Sequence, residues 1–456
     1  MIDLTEGNEY KTILIFSLPI LLSNVFQQLY NIADSIIVGR MLGEKELAAV
    51  GASASLYSIL LAIALGITLG ISILVSNFYG SKEHERVKKA IETGLILSFV
   101  LTLIVTVIGV VFSMQIIRLF NVPQEIEQSA NIYVKIIFAG AIGTFGYNVY
   151  SNILRGLGDT KSSLYILIAS SVLNLILAIT FITVFKLGVG GVAFATVLSQ
   201  LFSLVVIYIY TYKKYECYRI DFRKISLDVS ILRKSLEIGI PSMLQQLFVS
   251  LGWVVLQRLI NGYGYICIAA FTGASRIDAF ATMPALNLGK ALSNFVAQNI
   301  GAKKVERIKR GYRGSLLMGA LISIAISLLV ITCGRYFMYM FNNNPDVISA
   351  GVNYFRIIGS FYLVFSTMQI MNGLILGMGK ALIPTIATVG SFCLVQIPLA
   401  IILSSHFGIN GIWIASPIGW VAGMLIRMAY IKIYLKDTIQ LSEIPVKVYS
   451  EASTRG

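Results

Sequence analysis

The chain has 456 residues, of which 56% are hydrophobic and only 13% are charged. Soluble domains contain about a quarter charged residues, so a water-soluble fold could not cover this much apolar surface, and we expect the lipid bilayer to be the solvent. The net charge of +14 does not indicate nucleic-acid binding, because the Lys and Arg residues cluster in loops between apolar runs, where they set the orientation in a membrane.

Twelve apolar runs are long enough to cross a bilayer, which takes about 20 residues of helix. In the first half of the chain they lie near 13–38, 48–79, 92–118, 129–155, 162–186 and 188–212. In the second half they lie near 235–261, 266–299, 314–337, 347–376, 382–405 and 409–435. Several runs are longer than a bilayer requires, so tilted, kinked or protruding helices are expected.

The basic residues lie in alternate loops. They follow the second, fourth, sixth and eighth runs, whereas the loop at 262–265 carries none. The longest connection, 213–234, carries seven: Lys213, Lys214, Arg219, Arg223, Lys224, Arg233 and Lys234. Because basic loops stay in the cytoplasm, we expect both termini and this connection on the cytoplasmic side of the cell membrane.

The two halves of the chain repeat each other. PILLSNVFQQLY from Pro19 recurs as PSMLQQLFVSLG from Pro241, and NFYGSKEHERVKKA from Asn77 recurs as QNIGAKKVERIKRG from Gln298. Further matches fall at the same offset of 220–222 residues. Each repeat holds six spans, an even number, so the halves are parallel repeats with the substrate path expected between them.

The repeat and the basic connection together predict the domain organisation. We expect a six-helix lobe at 1–212, a cytoplasmic linker at 213–234, a second six-helix lobe at 235–436 and a cytoplasmic tail at 437–456. Pro19 and Pro241 should bend matching helices of the two lobes, since proline removes a helix hydrogen bond. Gly66 and Gly70 form a GxxxG pair, which predicts close helix packing.

The residues give little indication of a metal site, a redox centre or an enzyme active site. The four cysteines are far apart and form no CxxC pair: Cys217, Cys267, Cys333 and Cys393. We therefore predict no disulfide framework and no cofactor, and the sequence leaves a metal site undetermined. The motifs HExxH, GxSxG and the P-loop do not stand out, so neither an enzyme nor an ATP-driven pump is predicted.

From about Glu9 to Lys436, the chain resembles the multidrug and toxic compound extrusion (MATE) family. The resemblance is carried by PILLSNVFQQLYNIADSIIVGRMLGEKELAAVG from Pro19, ILRGLGDTKSS from Ile153 and FVAQNIGAKK from Phe295. It implies an all-α polytopic protein whose two six-helix lobes form a V around a central cavity. It also implies alternating-access efflux of amphipathic, often cationic small molecules by antiport with H⁺ or Na⁺. We expect a monomer.

Asp34 is the one carboxylate well inside the first span. A carboxylate at mid-bilayer costs about 2.5–3.5 kcal/mol on insertion scales, so Asp34 is a functional candidate unless it lies near the outer interface. The resemblance assigns cation coupling to Asp34, with Asn174 and Thr196 as the matching polar residues. Asn174 could instead serve helix packing. Ala178 stands where the family has a second acid, which weighs against tight Na⁺ coordination.

The residues predicted to line the substrate cavity are aromatic, polar or charged. They are Phe26, Gln27, Tyr30, Tyr57, Tyr147, Met243, Gln245, Gln246, Asp278 and Lys290. Aromatic faces suit flat organic cations, although such rings also pack against lipid or other helices. Asp278 and Lys290 lie twelve residues apart, about 18 Å along one helix, and so are too far apart to pair along it.

A lipid-linked oligosaccharide flippase of related architecture is the alternative function. Its pyrophosphate substrate would require a cavity ringed by Arg and Lys, and Lys290 and Arg258 keep this reading open. An acidic or neutral cavity would favour cation export instead.

Overall fold

The computed structural model describes the greater part of the chain. The described residues are 2–120, 122–221, 223 and 225–440. For Ser55 and for residues 434–440, only the backbone is described. Most of the predicted tail at 437–456 lies outside them. Every regular element in the described residues is helical.

In the first half of the described chain there are eight α-helices. They are α1 (Glu9–Met41), α2 (Glu44–Gly80), α3 (His84–Val111), α4 (Ser113–Leu119), α5 (Gln124–Ala139), α6 (Ala141–Gly156), α7 (Thr160–Thr183) and α8 (Gly188–Lys214). A short 3₁₀ turn follows at Glu216–Tyr218.

The second half of the described chain also forms eight α-helices. They are α9 (Val229–Asn261), α10 (Tyr265–Gly301), α11 (Val305–Tyr339), α12 (Pro345–Gly359), α13 (Tyr362–Gly377), α14 (Leu382–Gly390), α15 (Ile397–Phe407) and α16 (Ile409–Gln440). A π-helical turn at Ser391–Gln396 joins α14 to α15.

Twelve spans are present, as the sequence predicts. Ten stretches of the described residues are long and apolar enough to cross a membrane without a sharp bend. The other two spans are bent pairs, α5 with α6 at 47° and α12 with α13 at 48°. Gly140 lies at the first bend, where a Cβ atom would come within 2.3 Å of the Val197 side chain. The missing side chain therefore lets this bend pack against α8.

The helices pack into two compact units. The first contains the chain up to Asp3 and Leu18–Met243, and the second contains Leu4–Ser17 and the described residues from Leu244 onward. Both divisions inside a helix fall next to a proline, Pro19 in α1 and Pro241 in α9. This division differs from the predicted lobe boundaries at 212 and 235, because each proline-bearing helix contributes its two parts to different units.

The sequence repeat recurs in the backbone. Gly43 precedes α2 with φ of 94°, and Gly264 precedes α10 with φ of 85°. Lys82 and Lys303, in the next connection of each half, have φ of 60° and 58°. Non-glycine residues rarely adopt a positive φ, so the matching lysines show that the two connections share one conformation.

Two glycines of α2 allow α9 to approach closely within the first unit. A Cβ atom on Gly66 would lie 2.4 Å from the Cα atom of Met243, and one on Gly70 would lie 2.2 Å from the backbone oxygen of Ser235. Both obstacles are main-chain atoms, so no rotamer change could make room for a side chain. The close packing predicted for the GxxxG pair is confirmed.

Arg307 is one of several side chains that hold the segment before α1 within the second unit. The Arg307 guanidinium donates hydrogen bonds to the backbone oxygens of Leu4 at 3.2 Å and of Glu6 and Gly7 at 2.5 Å each. It also lies 3.6 Å from the Glu9 carboxylate. Arginine presents several donors in a fixed plane, so a single side chain can satisfy the irregular backbone ahead of the helix.

Candidate cation-coupling site

Asp34 lies in α1 within the first unit, and its side chain is 8% exposed. Its Oδ1 atom is buried and accepts no hydrogen bond from the described residues. No Lys, Arg or His side chain of the described chain forms an ion pair with it. A buried charge without a partner is costly, so this carboxylate calls for a proton or another cation.

Asn174 in α7 and Thr196 in α8, the two polar residues that the resemblance associates with Asp34, lie together. The Asn174 amide nitrogen donates to the Thr196 hydroxyl at 3.3 Å and to the Ser199 hydroxyl at 3.2 Å. Thr196 in turn donates to the backbone oxygen of Val192 at 3.1 Å. The buried Asn174 Oδ1 atom accepts no hydrogen bond from the described residues, so it is a second buried acceptor without a donor.

Two tyrosines connect Asp34 with this pair. Tyr30, one turn before Asp34 in α1, and Tyr133 in α5 both lie near the Asp34 carboxylate and near the Thr196 side chain. Tyr57 of α2 lies beside Tyr30 and Tyr133. The site therefore gathers a carboxylate, an amide, hydroxyls and phenols from α1, α2, α5, α7 and α8.

Apolar side chains close one end of the site. Val38, one turn after Asp34, packs with Ile137 of α5 and Val192 of α8, and each of the three is at most 4% exposed. These contacts remove water from that side, which strengthens the electrostatic interactions of Asp34.

The second acid that the family resemblance implies is replaced by an alanine in this chain. Ala178 lies one turn after Asn174 and is fully buried. No group of three or more His, Cys, Asp or Glu side chains in the described chain is arranged to hold a metal ion. The site thus offers one carboxylate, with neutral oxygens around it.

The remaining predicted cavity residues of the first unit are placed differently. Phe26 is 37% exposed, Gln27 is half-buried, and both lie on α1 before Asp34. Tyr147 is buried, and its hydroxyl donates to the backbone oxygen of Ser163 at 3.1 Å. Met243 is half-buried at the end of the α9 part that packs on α2.

The second unit holds the other four predicted cavity residues. The Gln245 amide nitrogen donates to the Thr388 hydroxyl at 2.8 Å, whereas Gln246 is exposed. Asp278 is half-buried in α10, and Lys290 is exposed further along the same helix. Within this unit, a hydrogen bond therefore fixes Gln245, whereas Gln246 and Lys290 are exposed.

An ion pair that the sequence interpretation missed fixes the two helices that carry Asn174 and Thr196. Asp159 precedes α7, and its Oδ2 atom accepts hydrogen bonds from Tyr210 at 2.7 Å, Lys214 at 2.8 Å and Tyr215 at 3.1 Å. Its Oδ1 atom caps α7 by accepting from the backbone N–H of Ser162 at 3.2 Å. The start of α7 is thereby tied to the end of α8.

The charge state of Asp159 follows from these contacts. Burial alone would raise its pKa, but the hydrogen bonds from Lys214, Tyr210 and Ser162 outweigh burial and lower the pKa to about 2. Asp159 is therefore ionised at neutral pH.

Tyr133 and Ser199 are site residues that the sequence interpretation also missed. Ser199 lies three residues after Thr196, on the same face of α8, so helix periodicity was an available signal. Tyr133 has a repeat partner in Tyr354, 221 positions later, so the repeat itself singles it out.

Known proteins share this architecture and these segments. The MatE family model matches residues 19–180 and 241–402, once in each half. The chain is 29% identical to the probable multidrug resistance protein YpnP of Bacillus subtilis, over 90% of this chain and 92% of that protein. It is 30% identical to the probable multidrug resistance protein YoeA of the same organism, over 93% of this chain and 94% of that protein.

A solved structure agrees with the sequence matches. It is described as the outward-facing conformation of a multidrug resistance MATE family transporter of the MOP superfamily. It aligns with a TM-score of 0.89 and 25% identity, over 96% of this chain and 98% of that chain. The twelve-span fold, the matched halves and these relatives together establish that the chain belongs to the MatE family of multi-pass membrane transporters, whose members carry out multidrug efflux and are not enzymes.

Proposed function

We propose that this chain exports amphipathic organic cations from the cell by antiport with H⁺, and that Asp34 is the residue that exchanges the proton. The observation that carries the proposal is the pair of buried acceptor oxygens, one on Asp34 and one on Asn174, that receive no hydrogen bond from the described residues. A protonated Asp34 would supply a donor to such a site, and an ionised Asp34 would attract a cation.

The proton is favoured over Na⁺ by the chemistry of the ligands. A hard cation binds best to several oxygens, anionic ones above all, and the residue one turn after Asn174 is the buried Ala178. A proton needs one carboxylate only. The hydroxyls of Tyr30, Tyr133 and Thr196 lie close by and can reorient as the carboxylate gains or loses its charge.

Coupling follows from competition between the two cations. Protonation from outside removes the charge of Asp34 and weakens binding of a cationic compound, and release of the proton to the cytoplasm restores the affinity. A ligand shifts a conformational equilibrium only by its differential affinity for the two states, so proton and compound must oppose each other to be coupled. The multidrug resistance names of the relatives support small drug-like compounds as the cargo.

The groups gathered around Asp34 weigh against the flippase alternative. Tyr30, Tyr57, Tyr133, Asn174 and Thr196 supply phenols, an amide and a hydroxyl, and none of them is basic. A pyrophosphate would need Arg or Lys at such a place. We also propose, from the basic loops, that the chain lies in the cell membrane with both termini in the cytoplasm. From its likeness to the family, we propose that it works as a monomer.

The test replaces Asp34 by Asn, which keeps the shape of the neutral acid and cannot exchange a proton. Purified protein is placed in proteoliposomes, and transport of ethidium is followed with a pH gradient and a Na⁺ gradient imposed separately. The wild type should respond to the pH gradient, and Asp34→Asn should lower the pH-driven rate by about tenfold or more. Asp346→Asn, at an exposed position of α12, is the matched control and should transport like the wild type.

Two outcomes would contradict the proposal. Wild-type rates and an undiminished pH response in Asp34→Asn would mean that coupling lies elsewhere. Transport driven by Na⁺ alone would reject the proton as the coupling ion. Size-exclusion profiles and circular dichroism of each variant separate a lost proton site from a lost fold.

A further inference from the structure

One face of α11 carries two arginines near the start of the helix and apolar side chains further along it. Arg310 and Arg313 are exposed and lie three positions apart, so they share one side of the helix. Leu317, Leu321 and Leu328 continue the same side at helical spacing and are 57%, 62% and 61% exposed. The helix rises about 16 Å from Leu317 to Leu328, which is close to half of the roughly 30 Å hydrocarbon core of a bilayer.

Neither arginine is neutralised by an ion pair. Among the described residues, no Asp or Glu forms an ion pair with Arg310 or Arg313. Glu306 of the same helix lies near both arginines, but its carboxylate is bound by Lys309 at 2.6 Å. A guanidinium presents several N–H donors in one plane, a geometry that matches the oxygens of a phosphate. Two positive side chains are therefore available to an anion at this surface of the second unit.

The start of α1, which belongs to the same unit, forms a wall beside these arginines. The Tyr10 ring lies against Gly314, where a Cβ atom would come within 2.6 Å of the ring. Because Gly314 directly follows Arg313, the missing side chain brings the tyrosine close to the positive end of the α11 face. Tyr10 is 41% exposed, and Leu14, one turn later in α1, is 48% exposed. Tyrosine has an apolar ring and a polar tip, which suits the boundary between lipid headgroups and hydrocarbon.

The corresponding place in the first unit is covered by the chain itself. At the repeat offset of 221 positions, three residues of α3 correspond to three of α11: Lys89 to Arg310, Glu92 to Arg313 and Thr93 to Gly314. Glu92 is buried and accepts hydrogen bonds from the backbone N–H and the hydroxyl of Ser226, at 3.3 Å each. The Thr93 hydroxyl accepts from the backbone N–H of Asp228 at 3.2 Å, and Lys89 donates to the Ser226 hydroxyl. The connection after α8 is thus bound to this part of α3.

The comparison of α3 with α11 separates the arginines from the apolar face. Val100 and Val107 of α3 are the counterparts of Leu321 and Leu328, and they are 45% and 58% exposed. Both helices therefore present an apolar face of the kind that meets lipid. In α3 the positive side chain lies beside a buried acid and the bound connection, whereas in α11 an exposed arginine takes the place of that acid. The change converts a place that binds the chain's own backbone into one that attracts an anion.

We propose that this face of α11 binds an anionic phospholipid, a diacyl lipid with a net negative headgroup such as phosphatidylglycerol. Arg310 and Arg313 hold the phosphate, and an acyl chain lies along Leu317, Leu321 and Leu328. Charge complementarity selects the headgroup, because a zwitterionic lipid brings its own cation and gains less from two arginines. The apolar face selects a lipid over a soluble phosphate. This site does not depend on the cargo or on proton exchange at Asp34.

The test measures lipid binding to the purified full-length protein in detergent. The protein is titrated with dioleoyl phosphatidylglycerol and, separately, with dioleoyl phosphatidylcholine, which has the same acyl chains and no net charge. Native mass spectrometry counts the bound lipids and gives their affinities. The wild type should bind the first phosphatidylglycerol about tenfold more tightly than phosphatidylcholine. Arg310→Gln combined with Arg313→Gln should weaken phosphatidylglycerol binding by about tenfold or more and leave phosphatidylcholine binding unchanged.

Control variants separate this site from net charge and from structural damage. Lys161→Gln combined with Lys213→Gln removes two positive charges from exposed positions of the first unit and should keep the preference for phosphatidylglycerol. Arg310→Lys combined with Arg313→Lys keeps both charges and should recover most of the affinity. Inorganic phosphate in large excess should not displace the bound lipid from the wild type, because it gains nothing from the apolar face.

Four results would overturn the proposal. The wild type could bind the two lipids equally, or the double glutamine variant of α11 could keep the preference for phosphatidylglycerol. An equal loss of affinity in the Lys161 and Lys213 control would show that net charge alone sets the binding. Displacement of the lipid by inorganic phosphate would show a site for a free anion rather than for a phospholipid.

Discussion

Replacing Asp159 by Asn should loosen the start of α7 by an amount that can be calculated from the structure. The side chain of Asp159 is 2% exposed, and its pKa is lowered from an ordinary value near 3.8 to about 2. Since each pKa unit corresponds to about 1.4 kcal/mol, ionised Asp159 stabilises the folded state by about 2 kcal/mol at neutral pH. Asparagine can still cap the helix, so the substitution removes the charge and keeps the cap.

The pH dependence has a definite sign. A carboxyl whose pKa is lowered on folding contributes stability above its unfolded pKa, near 4, and loses that contribution as the pH falls towards 2. The wild type and Asp159→Asn should therefore differ fully at neutral pH and converge between about pH 4 and pH 2. Lys214→Met should cost less, about 0.5–1 kcal/mol, because Lys214 is 38% exposed and the tyrosines continue to donate.

Amide hydrogen exchange of a peptide covering 156–166 measures this effect directly. A loss of about 2 kcal/mol raises local exchange roughly 30-fold relative to the wild type at the same pH. The three tryptophans, Trp253, Trp413 and Trp420, all lie in the second unit, so their fluorescence would not report on α7.

The matched control for this experiment is Asp228→Asn. Asp228 accepts a hydrogen bond from the backbone N–H of Ile231 at 3.0 Å at the start of α9. It forms no ion pair with the described residues, so its substitution should change exchange there by less than about threefold. Equal exchange in wild type and Asp159→Asn at neutral pH, or a difference that persists at pH 2, would refute the assignment of Asp159 as the charged tie between α7 and α8.

Two further outcomes test packing and orientation. Gly66→Ala should sharply lower the Tm and the yield of folded protein, because the new Cβ atom would lie 2.4 Å from the Cα atom of Met243. Gly51→Ala in the same helix is the control and should be tolerated, since a Cβ atom there would have no other atom within 4 Å. Equal Tm values for the two variants would contradict the close packing of α2 and α9. Cys217 is exposed in the connection after α8, and in intact cells it should not react with a thiol reagent that cannot cross the membrane. The exposed position of Tyr265 is expected on the other side of the membrane, so Tyr265→Cys should react. Ready labelling of Cys217 would reverse the proposed orientation.

The spans, the repeat and part of the site could be predicted from the sequence because each depends on local patterns. Apolar length gives the spans, and the 220–222 residue offset gives the repeat. Asn174 and Thr196 could be placed together because a family pattern already joined them. The bend after Ala139 was not foreseen, since nothing local distinguishes Gly140 there from the other glycines of the apolar runs.

Contacts between distant helices could not be predicted in the same way. Asp278 and Tyr362 are 84 positions apart, and their hydrogen bond depends on how α10 and α13 are rotated about their axes. The groups that donate to Asp159 likewise come from two distant parts of the chain, the start of α7 and the end of α8. Apolar periodicity is weak in helices that face lipid, so the sequence carries little information about such rotations.

The two units use one arrangement of helices to hold a carboxylate in two different ways. In the first unit, Tyr30 and Tyr133 lie near both Asp34 and Thr196, and the Oδ1 atom of Asp34 accepts no hydrogen bond from the described residues. In the second, the Tyr362 hydroxyl donates to Asp278 at 2.7 Å, and Tyr354, the repeat partner of Tyr133, lies close to the same carboxylate. The repeat therefore keeps the arrangement of the helices but not the place of the acid, which lies on the first span of one half and on the second span of the other. An acid placed in this way in only one half gives the proposed antiport one site at Asp34 instead of two equivalent ones.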